Sequence, residues 1–408
     1  MTGANGPGEL DQAGLDRYEK AIMATFGTPQ RVLARGEGSY VWDADGNRYL
    51  DLLGGIAVTA LGHAHPGWVA AIAGQAATLA QASNFFATEP QIQLAERLLQ
   101  LSDAPAGSRV FLTNSGTEAM EAVFKMARKT GRTRIVALES SFHGRSMGAL
   151  ALTGKEAIRT PFEPLPAGVQ FIPRGDLDAL RAVAGDDLAA VVLEPIQGES
   201  GVHPLSTEYL QLARDICTEH GALLAFDEVQ TGVARTGAWF AHQLHGVVPD
   251  VMALAKGLGG GVPIGAVVAF GPWAGTLLVK GEHGSTFGGN ALATAAALAT
   301  LRILEEEDVL TNVKNVGEHT RSALGQLPFV TEVRGEGLML GAALSAPVAA
   351  QVAAAALEAG FIVNAPTPDS LRLVPALTIS AKEIDTFIAW FAEAVPPIIA
   401  AYSPEASA

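Results

Sequence analysis

The chain has 408 residues, long enough for two domains, and its 49% apolar content supports a large buried core. A net charge of -15 repels phosphate backbones and anionic lipid, so nucleic acid and membrane surfaces are excluded as main partners. Its one cysteine, Cys217, cannot form a disulfide within the chain, which fits a reducing, cytoplasmic compartment.

The N-terminal stretch MTGANGPGELDQAGLDRYEK predicts a flexible lead-in, because it has acidic residues and lacks the apolar core of a signal peptide. Next, residues 37–58 predict two strands around a turn at Asp45-Gly46, which is a strong hairpin signal. No run of 18 consecutive apolar residues follows anywhere in the sequence, which argues against a membrane span.

The middle of the chain alternates short apolar runs with helical patterns. The runs are RVFLTN (109–114), RIVALES (134–140), LAAVVLEP (188–195), ALLAFDE (222–228), DVMALAK (250–256) and PIGAVVAFG (263–271). Such runs are typical of strands buried on both faces of a mostly parallel sheet. Residues 116–131 and 207–221 predict helices between them, the second ending at Gly221. The pattern predicts an α/β domain with helices on both faces of its central sheet.

The pattern of residues 290–310 predicts a long helix that leaves this domain, and alternating strands and helices follow it. We therefore predict three parts. Residues 1–60 contribute to a small domain, residues 61–305 form the large domain, and residues 306–408 form the small C-terminal domain.

Ligands in such sheets bind beyond the carboxyl ends of the strands, and four of these ends carry unusual polar groups. Ser115 and Glu118 have capping-box spacing around Gly116, which predicts a helix start with free amides for an anion. Asp227 closes a second apolar run and Lys256 a third. A buried carboxylate and a buried ammonium each require a partner, or a reason to be uncharged.

The loop ESSFHGRS places Phe142 and Arg145 beside these ends. Separately, each feature has an ordinary explanation, such as a helix cap, a packed ring, a surface arginine or a snorkelling lysine. Together they match pyridoxal 5'-phosphate (PLP), because lysine condenses with its aldehyde and aspartate keeps its pyridine nitrogen protonated.

These residues and their surroundings resemble the class III aminotransferases, from about residue 20 to residue 395. The matching blocks are LDLLGGIAVTALGHAHP, SNFFATEPQ, NSGTEAMEAVFKMAR, SFHGRSMGALALTG, LEPIQGESGV, LLAFDEVQTGVARTG, ALAKGLGGGVPIGA, HGSTFGGN and LRLVPAL. The resemblance implies PLP as the cofactor, PLP-dependent transferase fold type I with a smaller α+β C-terminal domain, and a homodimer with shared active sites.

The resemblance also implies roles for individual residues. Lys256 holds the cofactor and later moves protons, Asp227 pairs with the pyridine nitrogen, Gln230 bonds the ring hydroxyl, and Phe142 stacks on the ring. The other implied cofactor contacts are Gly116, Thr117, Glu228 and Val229, with Thr286 reaching the phosphate of the neighbouring subunit.

Four further residues are implied in substrate binding. Arg145 and Arg372 grip carboxylates, Glu199 masks Arg372 in the resting state, and Ser285 lies close to substrate. The resemblance implies that N2-acetyl-L-ornithine donates its δ-amine to 2-oxoglutarate, with a pocket lined partly by residues 55–58. N-Succinylornithine, N-succinyldiaminopimelate, ornithine and 4-aminobutyrate remain alternative donors.

Other classes of protein fit the sequence less well. GLGGGVP lacks the third glycine of a dinucleotide fingerprint, since Val262 stands there, and ALALTGKE departs from a P-loop at Ala149 and Glu156. The pairs HAH (63–65) and HQLH (242–245) have no cysteine or HExxH partner, which favours packing or surface histidines over a metal site. A non-catalytic binding protein on the same fold remains an alternative.

Overall fold

A computed structural model describes residues 7–402 of the chain. Its largest sheet has seven strands in the order β4-β12-β11-β10-β7-β5-β6. Their bounds are Arg109–Thr113 (β4), Arg134–Leu138 (β5), Val169–Ile172 (β6), Leu188–Leu193 (β7), Leu223–Asp227 (β10), Val251–Leu254 (β11) and Gly265–Ala269 (β12). Only β12 runs antiparallel to its neighbours within this sheet. The predicted α/β architecture is confirmed.

Helices cover both faces of this sheet, because its central strands are apolar on both sides. All residues of β7, β10, β11 and β12 are buried. The helices of this part are α3 (Pro66–Thr78), α4 (Glu89–Leu101), α5 (Gly116–Lys129), α6 (Met147–Leu152), α7 (Glu156–Arg159), α8 (Leu177–Ala182), α9 (Thr207–His220), α10 (Ala241–His245), α11 (Gly271–Ala274) and α12 (Ala291–Glu306).

A second sheet is antiparallel, with strand order β13-β14-β17-β16. Its strands are Val330–Glu336 (β13), Met339–Leu344 (β14), Asn364–Thr367 (β16) and Ser370–Leu373 (β17). The helices beside it are α13 (Val309–Gly325), α14 (Ala349–Glu358) and α15 (Ala381–Ala401). This sheet supplies Arg372 to the site described below.

The N-terminal hairpin is joined to the C-terminal part of the chain. Its strands are β1 (Leu33–Glu37), β2 (Tyr40–Asp43) and β3 (Arg48–Asp51), and β3 pairs in parallel with β15 (Phe361–Ile362). The hairpin predicted around Asp45-Gly46 is thus present. The three-part domain division stays a prediction, although this pairing is what it requires.

The predicted flexible lead-in is wrong for residues 9–20, which lie in helix α1 (Glu9–Ala21). The Asp45 carboxylate accepts the backbone amides of Leu10 and Asp11 at 3.1 and 3.0 Å, and so fixes the start of this helix. Asp11 in turn accepts the amide of Val32 at 3.0 Å. Residues 1–6 of the predicted lead-in lie outside the described residues.

The predicted helices mostly match the structure. Gly221 ends α9 in the left-handed conformation at φ 59, as glycine does at helix ends. The single helix predicted over residues 290–310 is instead two, because Asp308 adopts φ 48 between α12 and α13. Strand β6 at the sheet edge was not among the predicted strands, since its segment lacks a continuous apolar run.

Within residues 7–402, one helix, α15, is long and apolar enough to cross a membrane by composition. It packs Ile384, Phe387, Phe391 and Val395 into the protein core. One helix that passes this test by length and composition is weak evidence for a membrane span.

Candidate active site

A cavity of about 440 Å³ opens at the carboxyl ends of the central strands. Side chains and loops from β4, β5, β7, β10 and β11 meet there, as the topology of a parallel sheet requires. The residues that line it are Val58, Asn114–Thr117, Phe142–Arg145, Glu194, Glu199, Asp227, Val229, Gln230, Ala255, Lys256 and Gly261–Ile264. Most of the predicted cofactor residues therefore face one space.

Helix α5 begins at the floor of this cavity. The Ser115 hydroxyl accepts the amide of Glu118 at 3.3 Å, whereas the Glu118 carboxylate reaches back to the amide of Asn114 at 3.0 Å. First-turn amides of a helix have no partner within the helix, so those of Gly116 and Thr117 are available to an anion. A Cβ on Gly116 would lie 2.9 Å from Val229 Cγ1, which explains the need for glycine there.

Asp227 lies at the end of β10 and is oriented by two donors. Its Oδ2 is 2.7 Å from His143 Nδ1, and its Oδ1 accepts the amide of Val229 at 3.0 Å. Burial lowers the pKa of His143, but the hydrogen bond and the charge of Asp227 outweigh it and raise the pKa above its ordinary value. A carboxylate fixed in this way can hold a proton donor such as a pyridinium.

His143 was missed by sequence reasoning, although it lies in the quoted loop between Phe142 and Arg145. Glu194 was missed too. It is buried, accepts the amide of Phe142 at 2.9 Å, and has its pKa raised to about 7 by desolvation. Its only sequence signal is a carboxylate that follows the buried run of β7.

Lys256 follows β11 and forms part of the cavity wall. Its backbone adopts φ 40, a left-handed conformation that costs a residue with a Cβ on the order of 1 kcal/mol. Burial lowers the pKa of its ammonium, Glu199 raises it, and Arg372 lowers it further. The net effect is a lysine amine with an increased neutral fraction, as a nucleophile requires.

Arg372 lies behind the cavity wall, with 1% of its surface exposed. Its Nη1 donates to Glu199 Oε1 at 2.5 Å and to Gln230 Oε1 at 3.2 Å, and its Nε donates to Asn364 Oδ1 at 3.1 Å. The pKa of Glu199 is raised by burial, but Arg372 and Lys256 outweigh this and lower it. The structure therefore contains the predicted pairing of Glu199 with Arg372.

Arg145 lies at the solvent side of the cavity and is exposed. Its guanidinium carbon is 5.5 Å from the centroid of the Phe142 ring, and its backbone amide donates to Thr117 Oγ1 at 3.2 Å. An exposed cation at the mouth of the cavity is accessible to a substrate carboxylate.

Several predicted residues lie outside the cavity in the single chain. Glu228 is fully buried and accepts the amides of Ala241 and His242, so its carboxylate serves the start of α10. Thr286 is exposed and its carbonyl accepts from Gln81, while the Ser285 hydroxyl accepts from Asn114 at 2.8 Å.

The substrate pocket predicted to be lined partly by residues 55–58 contributes one of these four residues to the cavity. Of residues 55–58, only Val58 lines the cavity. Gly55 and Ile56 adopt left-handed conformations at φ 62 and φ 64.

The histidine pairs do not gather metal ligands. His63 bonds Asp51 at 2.9 Å, His65 bonds Glu307 at 3.0 Å, and His242 packs on Phe240 and Phe270. Across residues 7–402, no group of three or more potential metal ligands occurs.

The aminotransferase class-III family matches residues 23–395. The chain belongs to the class III aminotransferases. Acetylornithine aminotransferase of Mycobacterium leprae is 54% identical to it over 91% of this chain and 92% of that protein. The enzyme of the same name from Streptomyces coelicolor is 52% identical over 91% of this chain and 93% of that protein.

Solved structures give the same family. N-acetylornithine aminotransferase from Stenotrophomonas maltophilia superimposes with a TM-score of 0.81 at 38% identity, covering 95% of this chain and all of that one. Ornithine aminotransferase from Toxoplasma gondii, with PLP at partial occupancy, gives 0.88 at 30% identity, covering 95% of both chains. The sequence-based family assignment and fold are confirmed, and this class III aminotransferase is a PLP-dependent enzyme.

The cavity of this aminotransferase fits PLP by the chemistry of its lining. An amine, Lys256, and a carboxylate, Asp227, line one space with the aromatic ring of Phe142 and the start of α5. These groups suit an aldehyde, a pyridine nitrogen, a ring face and a phosphate respectively.

The start of α5 yields a test of the phosphate site. Gly116→Ala should weaken PLP binding about tenfold or more, because overpacking against Val229 costs roughly 1–3 kcal/mol. Titration of the apoenzyme with PLP measures the dissociation constant. Gly325→Ala is the control, since its Cβ would meet no atom within 4 Å. Equal affinities for the two variants would contradict the assignment of this helix start.

Proposed function

We propose that the protein transfers the δ-amino group of N2-acetyl-L-ornithine to 2-oxoglutarate, which gives N-acetyl-L-glutamate 5-semialdehyde and L-glutamate. The observation that carries the proposal is a single cavity that unites Lys256 with Asp227, has Arg145 at its mouth, and has Arg372 behind Glu199. The extent of identity to relatives named for acetylornithine supports this choice of donor.

The chain's own groups would hold the cofactor at five points. Lys256 would bind its aldehyde carbon and Asp227 its ring nitrogen, while Phe142 would cover one ring face and the Gly116 and Thr117 amides would hold its phosphate. Gln230, whose carbonyl oxygen already accepts from Arg372, keeps its amide nitrogen available for the ring hydroxyl. The bound cofactor supplies an electron sink for the carbon that loses a proton.

Lys256 would also move that proton. Its lowered pKa keeps a larger fraction of the amine neutral near neutral pH, so it can act as a base once it is released from the cofactor. Asp227 would pair with the ring nitrogen. The hydrogen bonds from His143 and the Val229 amide fix the position of its carboxylate for that contact.

The two arginines would divide the two substrates between them. Arg145 would grip the α-carboxylate of acetylornithine while Glu199 covers Arg372. For 2-oxoglutarate, Glu199 would leave Arg372 to the α-carboxylate, so that the 2-oxo carbon meets the cofactor. One cavity could then serve both halves of a ping-pong reaction.

Selectivity for the acetylated donor would follow from the charges of the lining. Three carboxylates line the cavity and each has a partner: Asp227 bonds His143, Glu199 bonds Arg372, and Glu194 accepts the amide of Phe142. The α-ammonium of free ornithine would find no such group free and would lose several kcal/mol if buried unpaired. In N2-acetylornithine the α-nitrogen is an amide nitrogen, which carries no charge.

We also propose a homodimer, in which Thr286 would reach the phosphate in the partner's site and Ser285 would lie near substrate. Phe85, Phe86 and Phe287 are exposed in the single chain by 92%, 72% and 59%. Such a group of exposed aromatic side chains supports a partner subunit that covers this surface. We also propose a cytoplasmic enzyme of arginine biosynthesis that binds neither nucleic acid nor membrane, and the net charge of -15 supports the lack of these two anionic partners.

Comparing amino donors tests the proposed substrate. The kcat/KM should be highest for N2-acetylornithine and lower for ornithine by about 100-fold, because an unpaired ammonium costs several kcal/mol. N-Succinylornithine, N-succinyldiaminopimelate and 4-aminobutyrate complete the panel, with 2-oxoglutarate as acceptor throughout. A higher kcat/KM for any of these four donors would contradict the choice of N2-acetylornithine.

Replacing Arg145 tests carboxylate recognition. Arg145→Ala should lower kcat/KM for acetylornithine about 10- to 100-fold, because hydrogen bonds to charged groups contribute roughly 1.5–3 kcal/mol each. The absorbance of the bound cofactor should not change. Arg181→Ala is the control, since this exposed arginine pairs with Asp178 on α8. If the two variants lose the same activity, Arg145 does not hold the substrate.

A further inference from the structure

Lys155 lies just before α7 and is the third cation beside Glu199. Its Nζ donates to the backbone carbonyl of Glu199 at 2.6 Å. Its charge also helps to lower the pKa of the Glu199 carboxyl, after the larger effects of burial, Arg372 and Lys256. Lys155 does not line the cavity, so it acts on Glu199 and not on the substrate.

Three cations from separate elements hold the segment that carries Glu199. It joins β8 (Ile196–Gln197) to β9 (His203–Pro204). Lys155 donates to the backbone carbonyl of Glu199, and Arg334 donates to the backbone carbonyl of Gly201 at 3.0 Å. Arg174 donates to the side-chain oxygen Oε1 of Gln197 at 2.9 Å. Glu199 can therefore leave Arg372 most easily by rotating its side chain.

A rotated Glu199 carboxylate gains from a new positive partner, because only 26% of its side chain is exposed to water. Arg372 is then taken by the substrate, and Lys256 belongs to the cofactor site. Lys155 is within reach, since bond lengths place its Nζ within about 5.4 Å of Glu199 Cα. A glutamate carboxylate moves over a similar radius as its side chain changes rotamer.

We propose that Lys155 is the positioning residue that receives the Glu199 carboxylate when 2-oxoglutarate displaces it from Arg372. Glu199 acts as a gate, which is closed when it covers Arg372 and open when it has left Arg372. Lys155 thereby stabilises the open state and lowers the concentration of 2-oxoglutarate that the second half-reaction requires. The inference rests on the transamination proposed above, and specifically on its Glu199 gate.

Half-reactions of the holoenzyme, followed by the absorbance of the bound cofactor, test this role. Lys155→Met removes the charge and keeps the length of the side chain. The 2-oxoglutarate concentration at half-maximal rate should rise about fivefold, the loss expected of one partly exposed ion pair. The acetylornithine half-reaction should change less, because Glu199 stays on Arg372 in that step. Lys155→Arg should restore the 2-oxoglutarate value, and Lys382→Met is the control at an exposed lysine.

Glu199→Gln separates this role from a purely structural one. In that background Lys155→Met should have no further effect on 2-oxoglutarate, because the charge it would receive is gone. Equal losses in both half-reactions, or an effect that persists beside Glu199→Gln, would overturn the role of Lys155.

The gate itself is checked by Glu199→Gln alone. If this variant discriminates between acetylornithine and ornithine as before, the gate fails and the role of Lys155 fails with it. If discrimination changes while Lys155→Met leaves 2-oxoglutarate use intact, the gate stands and only the role of Lys155 is overturned.

Discussion

Removing the amine of Lys256 from water is the constraint on which the rest of the site depends. The amine lies at the end of a fully buried strand, in a left-handed backbone conformation, and burial lowers its pKa. A charged ammonium there is costly, so the position favours a neutral nucleophile. The carboxylates around it are hydrogen-bonded to other partners, and the charge of Glu199 only partly offsets the effect of burial on the pKa of the lysine.

Two charge pairs stand beside the cavity. Asp227 is paired with His143 at 2.7 Å, and Glu199 is paired with Arg372 at 2.5 Å. The first pair is buried at both ends and suits a permanent electrostatic role. The second has a glutamate at the cavity wall and a lysine beside its backbone, which suits a partner that must move.

The sequence predicted the sheet well, because apolar runs that end in polar residues define buried parallel strands and their active edge. It also placed Lys256, Asp227, Phe142 and Arg145 at that edge. It could not reveal His143 or Glu194, since their importance comes from contacts across the fold. Helix α1 was missed because Asp45, far away in the chain, fixes its start, and Glu228 is directed away from the cavity by the amides of α10.

The most direct measurement is mass spectrometry of peptides from the holoenzyme after borohydride reduction. One reduced cofactor adduct is expected, on the peptide that contains Lys256, and both the adduct and the visible absorbance band should be lost in Lys256→Ala. An adduct on any other lysine, such as Lys155, would contradict the role of Lys256, as would a wild-type protein that binds PLP without forming an adduct.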